Sequence, residues 1–416
     1  MSPGTAVLQQ TIGPLFFNVF QILIVVAFIV VPLLLLRVFW ASWILYVRGL
    51  FFSSQQYALI ELKIPKGIAK SPLAMELFIT ALYQTGGEGT FYDKYWLGKT
   101  RPWFSLEIVS IDGHVRFFLW TRESFRHLVE SQLYGQFPDI EMKVVEDYTE
   151  EIKFNWNEHQ MWSCDFTKAA ASHYPIKTYI NYGLDKDPEE EVKIDPITSL
   201  IEFFGSIGRG EQLWLQIIIR AHKEEITKPG TWFEKVDWRH AAKAEVDKLM
   251  GRDKKAKDGE INFADFSLTK GQREKVDLIE KHIAKLAFDT VIRAVYVTGK
   301  DQFKGTMVPG VVGILRQYNS PDLNGFKPGN TTSYDYPWQD FTGKRTIAKK
   351  EKAFFVYKNR SAFYPEFFPK YYQAKPFIMT TEELATIYHF PGDVSRTPNL
   401  GRISAKKAEP PSNLPI

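Results

Sequence analysis

The sequence predicts an α+β protein in which an N-terminal transmembrane helix precedes two ferredoxin-like (βαββαβ) units, the second carrying a helical insertion. Three observations lead there: an uncharged apolar run near the N-terminus, an alternation of capped helices and strand pairs over residues 55–150, and a second pass through the same order after residue 151. The order strand, helix, strand, strand, helix, strand lays two helices over one face of an antiparallel sheet.

The apolar run, Leu15 to Leu36, holds 22 residues without a formal charge. At 1.5 Å per residue it makes a helix of about 33 Å, enough for a hydrocarbon core of about 30 Å. Pro32 is compatible with a span, because transmembrane helices tolerate proline better than soluble ones. Behind the run, "RVFWASWILYVR" brackets Trp40, Trp43 and Tyr46 with Arg37 and Arg48, the residue types that gather at a headgroup interface. No basic residue precedes the run, whereas Arg37, Arg48, Lys63, Lys66 and Lys70 follow it. The positive-inside rule then puts residues 1–14 outside and the large C-terminal part in the cytoplasm. A cleaved signal peptide or a buried helix is the alternative; the missing basic n-region and the length of the run argue against the signal.

After the interfacial segment, which ends near residue 50, "YALIELKI" reads as a strand and "SPLAMELFITALYQTGGEG" as a helix, with Ser71 as N-cap, Pro72 at the first helical position and Gly86-Gly87 as the stop. "PWFSLEIVSI" and "HVRFFLW" follow, joined at Asp112-Gly113, a strong hairpin signal between alternating segments. Alternation assigns Phe104, Leu106, Ile108, Val115, Phe117 and Leu119 to the core. Thr121 is the expected cap of "RESFRHLVESQLYGQ", and a strand near Ile140 to Val145 closes the first unit, residues 55–150.

In the second unit, residues 151–360, "PIKTYINYG" is the expected first strand. "DPITSLIEFFGSIGRG" is its helix, capped by Asp195 and Pro196, with Ile197, Leu200, Ile201 and Phe204 on one face. Strands follow in "EQLWLQIIIRA" and "DTVIRAVYVTG", then a helix around Thr306 to Gln317 and a last strand in "AFFVYKN". The second helices of the two units end alike, "SQLYGQFPDIEM" beside "LRQYNSPDLNGF", which favours an internal duplication over two common folds met by chance. Residues 223–285 form the insertion, two helical stretches with about 15 basic and 13 acidic residues interspersed. That mixture reads as a solvated helical hairpin, with Arg252, Lys254, Lys255 and Lys257 as the place for a polyanion contact. Residues 361–416 read as a C-terminal docking segment and linker-like tail.

Composition narrows the function classes. The chain of 416 residues is 45% hydrophobic, which excludes global disorder. Its 52 basic and 48 acidic residues give a net charge of +4, too balanced to require a polyanion. A single cysteine, Cys164, excludes an internal disulfide framework and a cysteine-rich metal site. "GKT" at Gly98 to Thr100 fails as a phosphate loop: Asp93 stands where its first glycine belongs, and Arg101-Pro102 opens a strand where a helix should start. The glycines of "GSIGRGEQL" lead from a helix into a strand and so form a turn. His159, Cys164, Asp165 and His173 lack metal-ligand spacing, and no serine has a nucleophile-elbow context. Phe118 and Trp120 lack the pattern of an RNA-binding sheet and are expected to pack. The sequence therefore offers no catalytic, cofactor-binding or metal residue, and the expectation is a protein that is not an enzyme and needs no cofactor.

The span, "KSPLAMELFITALYQ", "PWFSLEIVSIDGHVRFFLWTRESFRHLVESQLYGQFPDIEM" and "MTTEELATIYHFPGDVSRTPNLGRISAKKAEPPSNLP" together resemble the N-terminal membrane-anchored region of bacterial type IV secretion and conjugation-like DNA-transfer ATPases. In that family the last block leads into a RecA-like motor, whose phosphate loop and acidic metal-binding segment have no counterpart in this sequence. The resemblance implies a scaffold or adaptor in a bacterial inner membrane, single-pass and facing the cytoplasm, with a RecA-like transfer ATPase or other secretion components as partners. A membrane-tethered nucleic-acid-binding module using the basic insertion is the alternative.

Overall fold

The computed structural model describes residues 3–65, 70–150, 158–185, 194–223, 235–252, 268–364 and 375–392, with short pieces at 152, 155, 226–227 and 402–403. In chain order the first elements are α1 (Pro3–Ser53), β1 (Tyr57–Pro65), α2 (Pro72–Ala81), α3 (Phe91–Tyr95), β2 (Trp103–Ile111), β3 (His114–Arg122), α4 (Arg126–Gln136) and β4 (Glu141–Val145). Then come β5 (His159–Lys168), α5 (Pro196–Gly205), β6 (Glu211–Ala221), β7 (Ile226–Thr227), β8 (Lys235–Val236), α6 (Trp238–Leu249), α7 (Lys270–Ile283) and β9 (Ala287–Gly299). α8 (Met307–Gly313), β10 (Phe326–Thr331), α9 (Lys344–Lys358), β11 (Phe377–Thr380), α10 (Thr381–Ile387) and β12 (Arg402–Ile403) complete it. The chain divides into two units, one built on α1 and residues 88–100 and the other holding the sheet.

The fold is α+β, and its sheet is almost wholly antiparallel. Its first four strands lie in the order β4-β1-β3-β2, the next four in the order β10-β5-β9-β6, and β2 pairs with β6 to join the two sets. In that central ladder Leu106 faces Ile217 and Glu107 faces Gln216. β11 pairs antiparallel with the start of β9, and β12 runs parallel to the end of β1. Between β6 and β9 stand α6 and α7, a helical pair with its own small core of Ala242, Val246, Val276 and Ile279.

Local chemistry fixes these elements. Ser71 Oγ accepts from Leu73 N and Asp195 Oδ1 from Ile197 N, so α2 and α5 start where the caps predict. The β2–β3 turn uses Asp112 and Gly113, both at positive φ (55° and 83°), the geometry a two-residue hairpin demands. Phe104, Leu106, Ile108, Val115, Phe117 and Leu119 are buried with Met75, Phe78, Val129 and Leu133 of the helices. On the opposite face Phe118 packs on Tyr148, and Trp214 lies 5.2 Å from Tyr357 of α9.

Three expectations are corrected. The α4 helix starts at Arg126, with Thr121 buried inside β3, because the strand runs on to Arg122 and a single 3₁₀ turn intervenes. Residues 175–183 form no strand and 179–183 are turns, since Asn181 Oδ1 takes the Thr178 N–H at 2.9 Å and competes with strand pairing. The first strand of the second set is instead β5, whose polar Ser163 and Asp165 hide its alternation; Asp165 is buried against Arg293 at 3.2 Å. "AFFVYKN" ends α9, where Ala353, Val356 and Tyr357 are buried at helical spacing, and the fourth strand is β10, an edge strand that tolerates Pro328.

Two buried ionic networks tie distant segments together. Glu107, fully buried in β2, accepts from Arg360 Nε at 3.0 Å and Nη2 at 3.2 Å, and from Ser105, Gln216 and Tyr148. Arg360 also meets Asp147 and sits at φ 47°, outside the range most side chains adopt. Glu383, in the first turn of α10, accepts from Lys168 Nζ at both carboxylate oxygens, at 2.7 and 3.0 Å, and from the Ile176 and Thr380 N–H groups. The stretch from Phe377 to Phe390, expected within a C-terminal docking segment, is thereby part of the core: Leu384, Ile387, Tyr388 and Phe390 are buried.

Candidate membrane interface

α1 is one continuous helix of 51 residues. From Leu23 to Ser53 it is long and apolar enough to cross a membrane, a test that a signal sequence near an N-terminus also passes. Its side chains between Leu23 and Phe39, Leu33, Leu35 and Phe28 among them, are exposed. A surface of that size and polarity is unfavourable in water and suited to lipid.

The sequence-predicted interface residues cap this stretch. Arg37 is exposed at its end, Trp40 and Trp43 follow three residues apart, Tyr46 is exposed, and Arg48 is half-buried. Trp40, Trp43 and Val47 share one helical face, and that face is occupied. Residues 88–100 fold onto it, with Tyr95 and Trp96 rings 5.6 and 6.0 Å from Trp40 and the Tyr95 carbonyl accepting from Trp43 Nε1 at 2.9 Å. Val47 beneath is buried.

The docked segment is built for close approach. Thr90 Oγ1 accepts from Asp93 N at 3.1 Å and starts α3, and Lys99 closes back on Asp93 at 2.9 Å. The Lys99 and Thr90 hydrogen bonds hold the Asp93 carboxyl below its ordinary pKa. Gly98 has φ +61°, and a Cβ there would lie 2.3 Å from the Val47 carbonyl oxygen, so the loop touches the α1 backbone where only glycine fits. The outward side of the segment is aromatic: Phe91 is 64% exposed, Tyr92 60% and Trp96 47%. Phe91 contacts Tyr95 at 4.5 Å and Trp96 at 5.7 Å, and Lys94 lies over the Tyr95 ring. Sequence reasoning missed this partner because it tested "GKT" for phosphate binding; the aromatic density of "FYDKYWL" was the available signal.

The other sequence-predicted site is only partly visible. Arg252 is exposed and lies 3.3 Å from Asp247, while Lys254, Lys255 and Lys257 fall outside the described residues. Among the described residues no group of three or more His, Cys, Asp or Glu side chains is placed to hold a metal ion. Cys164 is buried, and burial pushes its thiol pKa up.

Residues 59–402 match the family described as Domain of unknown function (DUF8128), and the chain belongs to that family. No curated protein matches the chain.

Proposed function

We propose that this member of the family is a single-pass anchor and scaffold of a bacterial inner membrane, its sheet on the cytoplasmic side, working without catalysis in a type IV secretion or conjugation-like transfer system. The observation that carries the proposal is the exposed apolar length of α1 running into a ring of aromatic and basic side chains at Arg37 to Arg48. Lipid is the solvent in which such a helix is stable, and the basic residues that follow it favour a cytoplasmic body.

The strand order supports the finer reading of the fold. Each set of four strands runs strand, helix, strand, strand, helix, strand and is ordered fourth, first, third, second. We read these as two ferredoxin-like units of a duplicated chain, joined edge to edge through β2 and β6, with α6 and α7 as the insertion of the second. The buried charges support a scaffold, since Glu107, Arg360, Lys168 and Glu383 hold segments of the body to one another. The blocks that resemble those of transfer ATPases point to a RecA-like ATPase or other secretion components as partners.

The test is to crosslink the full-length protein in its native membrane, purify it and identify its companions by mass spectrometry. Recovery of a RecA-like ATPase is the expected result. Release of the uncrosslinked protein by alkaline carbonate defeats the anchor, and recovery of nucleic acid without an ATPase replaces the scaffold with a binding module at the basic insertion.

A further inference from the structure

We infer that residues 90–97 are a second membrane contact, an aromatic foot that lies in the headgroup layer beside the span. The inference rests on the anchor reading for α1 and adds an occupant for a surface that reading does not use. Three observations carry it, all within one compact unit.

The first is continuity. Tyr95 and Trp96 pack on Trp40 and Trp43, the residues at the end of the apolar stretch, so the foot is held at the level along α1 where lipid gives way to water. The second is polarity. Phe91, Tyr92, Trp96 and Leu97 turn outward and are 40 to 64% exposed, while Lys94 and Lys99 stand among them. Aromatic rings with lysines among them, Lys94 lying over the Tyr95 ring, match the interfacial layer, where an amphipathic element sits about 5–10 Å into the headgroup and acyl boundary. The third is rigidity: the Thr90 cap, the Asp93–Lys99 pair and the Gly98 contact fix the foot before lipid arrives, which lowers the ordering cost of binding.

The occupant is therefore the lipid interface, and a protein covering the same rings is the outcome that overturns the inference. The experiment places a cysteine at Tyr92 in the full chain, leaves the buried Cys164 in place, and labels the new thiol with an environment-sensitive fluorophore in phosphatidylcholine and phosphatidylglycerol vesicles. Flotation and carbonate resistance are measured first, so that loss of the anchor is seen separately. The expected result is a blue-shifted emission, quenched more strongly by nitroxides placed shallow in the acyl chain than by deep ones. Gly98→Val, which pushes the loop off Val47, should float as before yet shift the emission back to that of a water-exposed probe. A probe at 92 that is water-exposed in the floated protein overturns the inference, as does a blue shift that no lipid nitroxide quenches.

Discussion

Arg360→Met tests whether the charge buried under the sheet holds the fold together. Glu107 is 0% exposed and Arg360 1%, and the guanidinium supplies the countercharge that Glu107 contacts in that interior. Burial works against the Arg360 charge, but Glu107, Tyr148 and Asp147 outweigh it and hold its pKa well above the ordinary value. Removing one partner of a buried pair costs about 3–5 kcal/mol, because the other charge stays behind without compensation. With unfolding entropy of about 2.1 cal/mol/K per residue over roughly 350 cooperative residues, that is a drop of about 4–7 °C in Tm.

Glu107→Gln should cost less, about 1–3 kcal/mol, since Arg360 retains Asp147 and the Lys358 carbonyl. The ordering of the two variants is the sharper part of the prediction. Methionine keeps the positive φ at 360 and its strain, so that contribution cancels between Arg360→Met and its double variant with Glu107→Gln. The double variant should be less damaged than the sum of the singles by about 1–3 kcal/mol. The assay is guanidinium unfolding of the detergent-solubilised full chain, followed by near-ultraviolet circular dichroism of the Trp120 and Trp214 surroundings. Equal costs for the two single changes, together with an additive double variant, would refute the reasoning and leave aromatic packing around Trp214 and Tyr357 as what fixes α9.

Other consequences follow from the remaining buried groups. His222 lies between Asp289 and Asp237, at 2.6 and 2.7 Å, with Arg220 on Asp289 and the Tyr83 hydroxyl on the His222 carbonyl. Burial opposes its charge, but the two carboxylates prevail and raise its pKa above 6.5. Its contribution is therefore complete below pH 6.5 and lost as pH rises through the folded value, so the Tm advantage over His222→Gln should shrink as pH is raised above 6.5. Lys168→Met should cost about 3–5 kcal/mol by stranding Glu383. It should also raise the His282 pKa from about 4, where burial chiefly holds it, because Lys168 lowers it further while Glu383 raises it; imidazole NMR shifts report both. Cys164 should resist thiol reagents in the native protein and react on the timescale of unfolding, which mass spectrometry of labelling reads directly.

The elements legible in the sequence were those whose signals are local. Ser71, Asp195 and Asp112-Gly113 each act within three residues, and alternation marks β2 and β3 because their helix-facing residues are uniformly apolar. β5 was not legible, since Asp165 and Ser163 become interior only through partners far along the chain, Arg293 and Thr332. β10 escaped because Pro328 and Gly329 read as turn residues, although an edge strand with a register shift accommodates both. At the candidate membrane interface, α1 announced its own residues from Arg37 to Arg48. The docked foot could not be read from them, because its position depends on a backbone contact at Gly98 that leaves no periodicity in the sequence.

The segment from Phe377 to Phe390 explains why the two sets of strands behave as one body. β11 adds to β9 of the second set, and α10, which follows it without a break, packs on α2 of the first. Its side chains reach both ways. Glu383 closes on Lys168 of β5, Thr381 Oγ1 donates to Glu76 of α2 at 3.0 Å, and Glu382 shares Lys285 with that same Glu76. The Tyr388 hydroxyl donates to the Phe118 carbonyl in β3. Each of these contacts spans a large part of the chain, and loop-closure entropy must be met before any of them forms. The segment thus clasps the two sets of strands together. Without it Lys168 and the Ile176 N–H of the second set and Glu76 of the first would be buried without these partners, a penalty that falls on both sets of strands at once.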